Sequence, residues 1–367
     1  MLQGEKKLGF GCMRLPMIGE EVDEAAFCEM IDAYMAGGFR YFDTAQMYLG
    51  GKSETALRSC LTSRYPREKY LLTDKLSPHM FEREEDIRPA FEAQLKACGV
   101  EYFDFYLMHA QNADLFEKYK RCNAYETAFR LKEEGKVKHV GFSFHDNAEV
   151  LDRILTEYPQ LEVVQIQFNY LDYEDVDVQS RKCYEVCRKH NKPILIMEPV
   201  KGGALVNLPK EAQELLEGLH GGSPASYALR FAAQFEGVAM VLSGMGDMNM
   251  MRDNMQTFTA FRSLDGEETA AIYKVAQIIR EKKLISCTGC RYCVDGCPKT
   301  IPIPEIFACK NEKTRNVSKN YLQAYQEMTQ NAGKASDCIN CGKCEKACPQ
   351  HLPIRELLAK VKREFER

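Results

Sequence analysis

The sequence predicts an α/β protein: a (β/α)8 TIM barrel followed by a small, mainly α-helical domain. Three observations carry that reading. Short apolar runs alternate with amphipathic helical stretches across residues 1–280, no G-x-G-x-x-G turn follows the first run, and one cysteine pattern occurs twice within residues 281–367. Near-continuous apolar strands separated by helices imply parallel pairing, and eight such units close naturally into a barrel. An open doubly wound sheet is the rival, but a dinucleotide-binding sheet wants a glycine-rich turn after its first strand.

The strands are expected at LGFGCM (8–13), RYFDT (40–44), YLLTDK (70–75), FDFYLMH (103–109), KHVGFS (138–143), EVVQIQ (162–167), ILIMEP (194–199) and VAMVLS (238–243). Stretches such as DEAAFCEMIDAYMAGG and ETAFRLKEEGK supply the helices between them. Beyond the barrel, 304–333 is rich in polar residues and helix formers and is expected to be helical. The closing IRELLAKVKREFER (354–367) reads as an amphipathic helix with Ile354, Leu357, Leu358 and Val361 on one face.

Composition bounds the function. The 367 residues are 45% hydrophobic, enough for one large core and an appendage, and no apolar stretch is long enough to span a membrane. Forty-nine Lys and Arg against 53 Asp and Glu leave a net charge of -4, which gives no general basic field for nucleic acid. The opening MLQGEKKLGF has no export signature, so a cytoplasmic protein is expected.

The tail repeats Cys287-x2-Cys290-x2-Cys293-x3-Cys297-Pro298 as Cys338-x2-Cys341-x2-Cys344-x3-Cys348-Pro349. Three cysteines spaced by two residues can wrap one face of an iron-sulfur cube, whereas the fourth reaches towards a second cube. Two 4Fe-4S clusters with exchanged ligands follow: Cys287, Cys290, Cys293 and Cys348 for one, Cys338, Cys341, Cys344 and Cys297 for the other. Zinc favours separated ligand pairs, and disulfides have no reason to repeat this spacing. Eight further cysteines (Cys12, Cys28, Cys60, Cys98, Cys122, Cys183, Cys187 and Cys309) lack ligand spacing, and most are expected to be core thiols.

In a barrel of this kind the active site gathers at the C-terminal strand ends. Asp43 ends the second strand with Tyr48 in the loop after it, Lys75 ends the third and His109 the fourth. Each has an ordinary structural reading, as a helix cap, a loop aromatic, a rim charge and a core histidine. Together they suit hydride addition to a carbonyl, where the developing alkoxide needs a proton. A tyrosine of pKa about 10 is too weak an acid alone. A neighbouring ammonium lowers that pKa, and a carboxylate can hold the ammonium in place. Tyr48 is thus the candidate proton donor, Lys75 its tuner, Asp43 the orienter of Lys75, and His109 the group that polarises the carbonyl. Hydride would come from a reduced nicotinamide.

These residues resemble those of the aldo-keto reductase family. The likeness rests on LGFGCMRLP, FDTAQMY, TDK, YLMH, GFS, VVQIQFN, MEPVKGG and SGM with Asn254 downstream, and covers roughly residues 5–260. It implies a catalytic tetrad at Asp43, Tyr48, Lys75 and His109, and cofactor contacts from Gly11, Cys12, Met13, Asp43 and Met197. It further implies that Ser143 and Gln165 bond the nicotinamide carboxamide, that the loop from Pro199 through Gly202 and Gly203 follows the pyrophosphate, and that Ser243, Gly244, Met245 and Asn254 line the adenosine end. The whole chain resembles the subgroup in which such a barrel precedes a ferredoxin-type domain, so a ferredoxin-like tail is expected.

Several positions depart from the family pattern. Phe144 follows Ser143 where Asn is common, His145 stands beside it, and Met197 with Glu198 occupies the place of a stacking tyrosine. Gly244 and Met250 replace basic residues that would neutralise a 2'-phosphate, and Asp247 tilts the balance towards NADH, with Arg252 able to restore charge; the expectation is NADPH or NADH.

The clusters pose a separate problem, because hydride carries two electrons and each cube cycles through one. They can be a structural staple, a wire to an external carrier, or a docking module for a redox partner, either a ferredoxin or a flavoprotein. The expected substrate is a small carbonyl compound or alcohol, with no nucleic acid and no membrane among the partners. The alternative is an electron-transfer protein whose barrel is a scaffold or sensor.

Overall fold

The structure is a computed structural model, and it describes residue 2 and residues 4–219, 221–315 and 320–366. The chain forms two compact units: one of the residues up to Pro199 together with Ala225–Leu264, the other of Val200–Pro224 together with the chain from Asp265 onward.

The first unit contains a closed barrel of eight parallel strands. They are β1 (Leu8–Gly11), β2 (Tyr41–Asp43), β3 (Leu71–Leu76), β4 (Phe103–Gln111), β5 (Val137–Phe144), β6 (Val163–Gln167), β7 (Ile194–Met197) and β8 (Val238–Ser243). Each pairs with the next and β8 returns to β1, which satisfies every strand edge. All eight predicted strands are present. Tyr41, Phe105, Leu107, Val163, Leu195, Met240 and Leu242 form a buried cluster inside the unit.

Register aligns the functional ends. Gly11 stands opposite Asp43, Asp43 opposite Thr73, Lys75 opposite Leu107, Ser143 opposite Gln165, and Gln167 opposite Met197. Between Met108 and Gln111 the β4–β5 register shifts, and Ala110 adopts φ +57° there, so the chain bulges just past His109. A short antiparallel pair, Met17–Ile18 with Glu21–Val22, follows β1.

The second unit is helical. Its core joins Ile301, Ile303, Ile306, Phe307, Tyr325, Ile354, Leu358, Val361 and Phe365. The helices Ile303–Arg315 and Tyr321–Met328 occupy the expected helical stretch, of which 316–319 lie outside the described residues. The terminal helix runs Ile354–Phe365 and buries Ile354, Leu358, Val361 and Phe365. Leu357 is only partly buried, and the last residue of the predicted span, 367, lies outside the described residues. Lys310 and Lys313 both reach Glu364, at 2.7 and 3.1 Å, pinning that helix to Ile303–Arg315.

Of the eight cysteines outside the repeats, six are buried thiols as expected. Cys28 and Cys60 instead form a disulfide, because the helix Glu24–Ala36 packs against the turn Arg58–Thr62 and brings their Cα atoms to 4.7 Å. Among the described residues, no helix is long and apolar enough to cross a membrane.

Candidate active site and cysteine-lined cavities

The four strand-end groups converge in the first unit. Lys75 Nζ donates to Asp43 Oδ1 at 2.5 Å, to the Thr44 carbonyl at 2.7 Å and to Tyr48 Oη at 3.3 Å. Asp43, Tyr48, Lys75 and His109 are all buried. The Tyr48 and His109 rings meet edge-on with centroids 6.1 Å apart.

Strand alternation explains how Lys75 enters this group while its neighbour does not. Asp74 points to the other face, where it meets the buried Glu54 and Cys98, and its Oδ1 accepts from the Lys75 amide at 2.7 Å. Burial, followed by the Glu54 charge, holds the Asp74 carboxyl well above the usual range.

Three supporting contacts were not visible in the sequence. Gln165 Nε2 donates to Asp43 Oδ2 at 3.0 Å, fixing the carboxylate from β6. Ser77 Oγ lies 2.7 Å from His109 Nδ1. Ser143 Oγ accepts from the Ala110 amide at 2.8 Å and so holds the bulge beyond His109.

Electrostatics correct one expectation. Burial, and then the Asp43 charge, hold the Tyr48 phenol well above 10 rather than lowering it. Desolvation of the buried phenol is the main cause, and pairing adds to it: Lys75 is bound to Asp43, so the phenol meets an ammonium and a carboxylate together rather than an ammonium alone. His109 is pushed well below 6.5 by burial and then by the Lys75 charge, which makes it a neutral imidazole at pH 7. Burial and Asp43 likewise push the Cys12 thiol up, so it is not a thiolate.

The remaining expected cofactor positions are distributed over both units. Gly11 packs closely on β8, where a Cβ would lie 3.3 Å from the Ser243 carbonyl, and Cys12 N donates to Asp43 O at 2.8 Å. Asn254 Nδ2 donates to Ser243 Oγ at 2.9 Å, while Met245 is buried and Met13 is half-buried. The Arg14 side chain packs against Gly244, a basic residue that the sequence reading passed over. Met197 and Pro199 lie at the end of the first unit's first segment, whereas Gly202 and Gly203 belong to the second unit.

Two residues read earlier without a structural role now have one. Asp247 caps the helix Met248–Thr259, accepting from the Asn249 and Met250 amides at 2.8 and 2.9 Å. Both bonds go to Oδ1, which serves the helix terminus. Glu198, at φ +55°, accepts from Gln167 Nε2 at 3.1 Å, and Gln167 Oε1 lies 3.1 Å from His145 Nδ1. Two of the departures, His145 and Glu198, are thus joined through Gln167 at the ends of β5, β6 and β7.

The second unit contains two cysteine-lined cavities. One is lined by Cys287, Cys290, Cys293 and Cys348, with Thr288, Gln350 and Phe307 among its other residues. The other is lined by Cys338, Cys341, Cys344 and Cys297, with Lys299, Ile339 and Arg355. The fourth cysteine of each run therefore faces the other run's cavity. Ile303 lines both.

The repeat extends to the backbone. Gly289, Arg291 and Thr300 take positive φ in the first half, and Asn340, Gly342 and His351 do so at the matching offsets in the second. After Arg291 and Gly342 the chain enters the short helices Tyr292–Asp295 and Lys343–Lys346. These left-handed residues turn the chain around each cavity, an arrangement that converges thiols and backbone amides on one anionic group. Four converging thiols per cavity are the donor set a 4Fe-4S cube requires.

Comparison with known proteins agrees with this geometry. The aldo/keto reductase family model matches residues 7–277, and that of a 4Fe-4S dicluster domain matches residues 286–353. The chain is 27% identical over 290 residues to aldo-keto reductase family 1 member C13 of Mus musculus, covering 68% of this chain and 82% of that protein. An aldo-keto reductase from Klebsiella pneumoniae, solved in complex with NADPH, superposes with TM-score 0.58 at 18% identity, covering 74% of this chain and 90% of that one. The holo form of an aldo-keto reductase from Bacillus halodurans gives TM-score 0.57 at 22% identity, covering 73% and 91%. At these identities the structural likeness speaks for the fold.

Proposed function

The chain belongs to the aldo/keto reductase family, a family of oxidoreductases, and from that premise we propose that it reduces an aldehyde or ketone with NADPH or NADH, or oxidises the corresponding alcohol. The observation that carries this reading is the buried Asp43–Lys75–Tyr48 chain with His109 beside it. A bound reduced nicotinamide supplies the hydride.

Tyr48 keeps its proton until negative charge develops on the substrate oxygen, then donates it from Oη. Lys75 Nζ, 3.3 Å away, stabilises the phenolate that remains, and Asp43 holds Lys75 in place. His109 is neutral; in the tautomer with its ring proton on Nε2, Nδ1 accepts from Ser77 Oγ, 2.7 Å away, and Nε2 polarises the carbonyl. Ser143 and Gln165 are the proposed carboxamide contacts, and Ser243, Gly244 and Asn254 those of the adenosine end. NADPH is the nucleotide in the Klebsiella relative; Arg14, packed on Gly244, is the basic group on this chain that supports the same choice.

Two 4Fe-4S clusters occupy the cysteine-lined cavities in this reading, with residues 1–280 as the catalytic barrel and 281–367 as the cluster domain. The lining of each cavity supports the exchanged assignment, Cys348 serving the first cluster and Cys297 the second. The need to keep these thiols reduced supports a cytoplasmic location, with the Cys28–Cys60 disulfide weighing against it. A second reading, exchange of single electrons with a ferredoxin or flavoprotein, is favoured by the exposure of Cys341 and of Ile339 (57%) at the second cavity.

The test is anaerobic turnover of simple aldehydes with NADPH and with NADH, alongside electron paramagnetic resonance of the clusters. Nucleotide oxidation that depends on aldehyde and on Tyr48 supports the reductase. Cluster-dependent exchange with a one-electron carrier that survives Tyr48→Phe, without aldehyde turnover, supports the second reading.

A further inference from the structure

The first cysteine-lined cavity has a buried cation behind its wall. Lys201 is 2% exposed, and its Nζ donates to Gln350 Oε1 at 3.0 Å. Gln350, itself buried, lines the cavity alongside Cys287, Cys290, Cys293 and Cys348. The backbone is shaped for this approach: Lys201 adopts φ +46°, and at Gly202, φ +61°, a Cβ would lie 2.3 Å from the Thr288 carbonyl oxygen. Only glycine lets the loop lie directly on Thr288, the residue after the first cluster cysteine. A lysine in a left-handed conformation, buried behind a glutamine of the cavity wall, holds its place against both strain and desolvation.

The second cavity differs. Its lining cations, Lys299 and Arg355, are exposed, as is Arg291 at the first cavity. Exposed charges are screened by water and salt, whereas a buried one acts through a low-dielectric wall.

We propose that Lys201 is a positioning residue that raises the reduction potential of the first cluster and not that of the second. The proposal rests on the two-cluster reading. Reduction adds one electron to the cube, leaves the four thiolate bonds unchanged and moves no proton. The cluster with its thiolates is anionic and becomes more so on reduction, and a nearby ammonium favours the more negative form. Removing that charge lowers the potential.

The experiment is a mediated dithionite titration of the full-length holoprotein, followed by electron paramagnetic resonance, for the wild type, Lys201→Met and Lys201→Arg. Cys341→Ser, which alters the second cluster's signal, assigns the two midpoints. The expected result is a first-cluster midpoint lower by roughly 59 mV in Lys201→Met, a tenfold change for one electron, with the second midpoint unmoved and Lys201→Arg close to wild type. A midpoint unchanged in Lys201→Met at wild-type iron content, or an equal shift in both clusters, overturns the proposal. Should Lys201→Met fail to hold iron, Gln350→Met detaches the ammonium from the cavity wall. It is expected to shift the first midpoint in the same direction, and an unshifted midpoint there also overturns the proposal. Iron and sulfide analysis of the wild type separates the two levels, since too little for two cubes means that the two-cluster reading itself has failed.

Discussion

Lys75 and Asp43 form a buried ion pair, with Nζ and Oδ1 2.5 Å apart, and the same ammonium reaches Tyr48 Oη at 3.3 Å. The carboxylate therefore does two things to the phenol. It places the cation and at the same time cancels much of its field.

Removing the Tyr48 hydroxyl should abolish proton donation without disturbing nucleotide binding. Tyr48→Phe is expected to lower the rate of aldehyde reduction by roughly 10²–10⁴-fold, the usual worth of a general acid. Steady-state kinetics and nucleotide binding measured by fluorescence check this; a parallel loss of binding would show that Tyr48 acts on the cofactor instead.

Breaking the pair from either side should have different signatures. Lys75→Met leaves the Asp43 carboxylate buried without its cation, at a cost of about 3–5 kcal/mol, seen as a lowered unfolding temperature. Asp43→Asn leaves the ammonium uncompensated, which lowers the Tyr48 pKa. The alkaline limb of the rate profile should then move to lower pH, and an unmoved limb would mean that Asp43 does not act on the phenol.

His109 links stability to pH. Its folded-state pKa lies well below 6.5, so below about pH 6.5 the unfolded chain takes up a proton that the folded site refuses. Stability from this group falls as pH drops, by up to about 1.4 kcal/mol per pH unit, and is insensitive to pH above that range. Unfolding temperatures compared between about pH 7.5 and pH 5.5 should fall less steeply in His109→Gln than in the wild type.

The exchanged cysteines can be read spectroscopically. Cys297→Ser should perturb the same cluster signal as Cys338→Ser, and Cys348→Ser the same signal as Cys287→Ser, because of the cavities these residues line. If Cys297→Ser instead altered the signal shared by Cys287 and Cys290, each run would be closing on its own cube.

The sequence carried the strands and the strand-end groups well because both follow from local pattern. An apolar run shows where β3 lies, and Lys75 is visible at its end. Contacts that depend on register across the barrel were not legible. Gln165 reaches Asp43 over a separation of 122 residues, and Lys201 reaches Gln350 over 149. The chemistry of Asp247 alone tilts the cofactor choice towards NADH, and only the structure shows that its position before Met248 also makes it a helix cap. The cysteine spacing conveyed which cysteines share a cavity but not the repeated left-handed residues, since Arg291, Thr300 and His351 are not residues that announce positive φ.

Ile303 belongs to the walls of both cysteine-lined cavities. Cubes seated there would lean on one side chain from opposite sides, so a change of bulk at this single position would unsettle both at once.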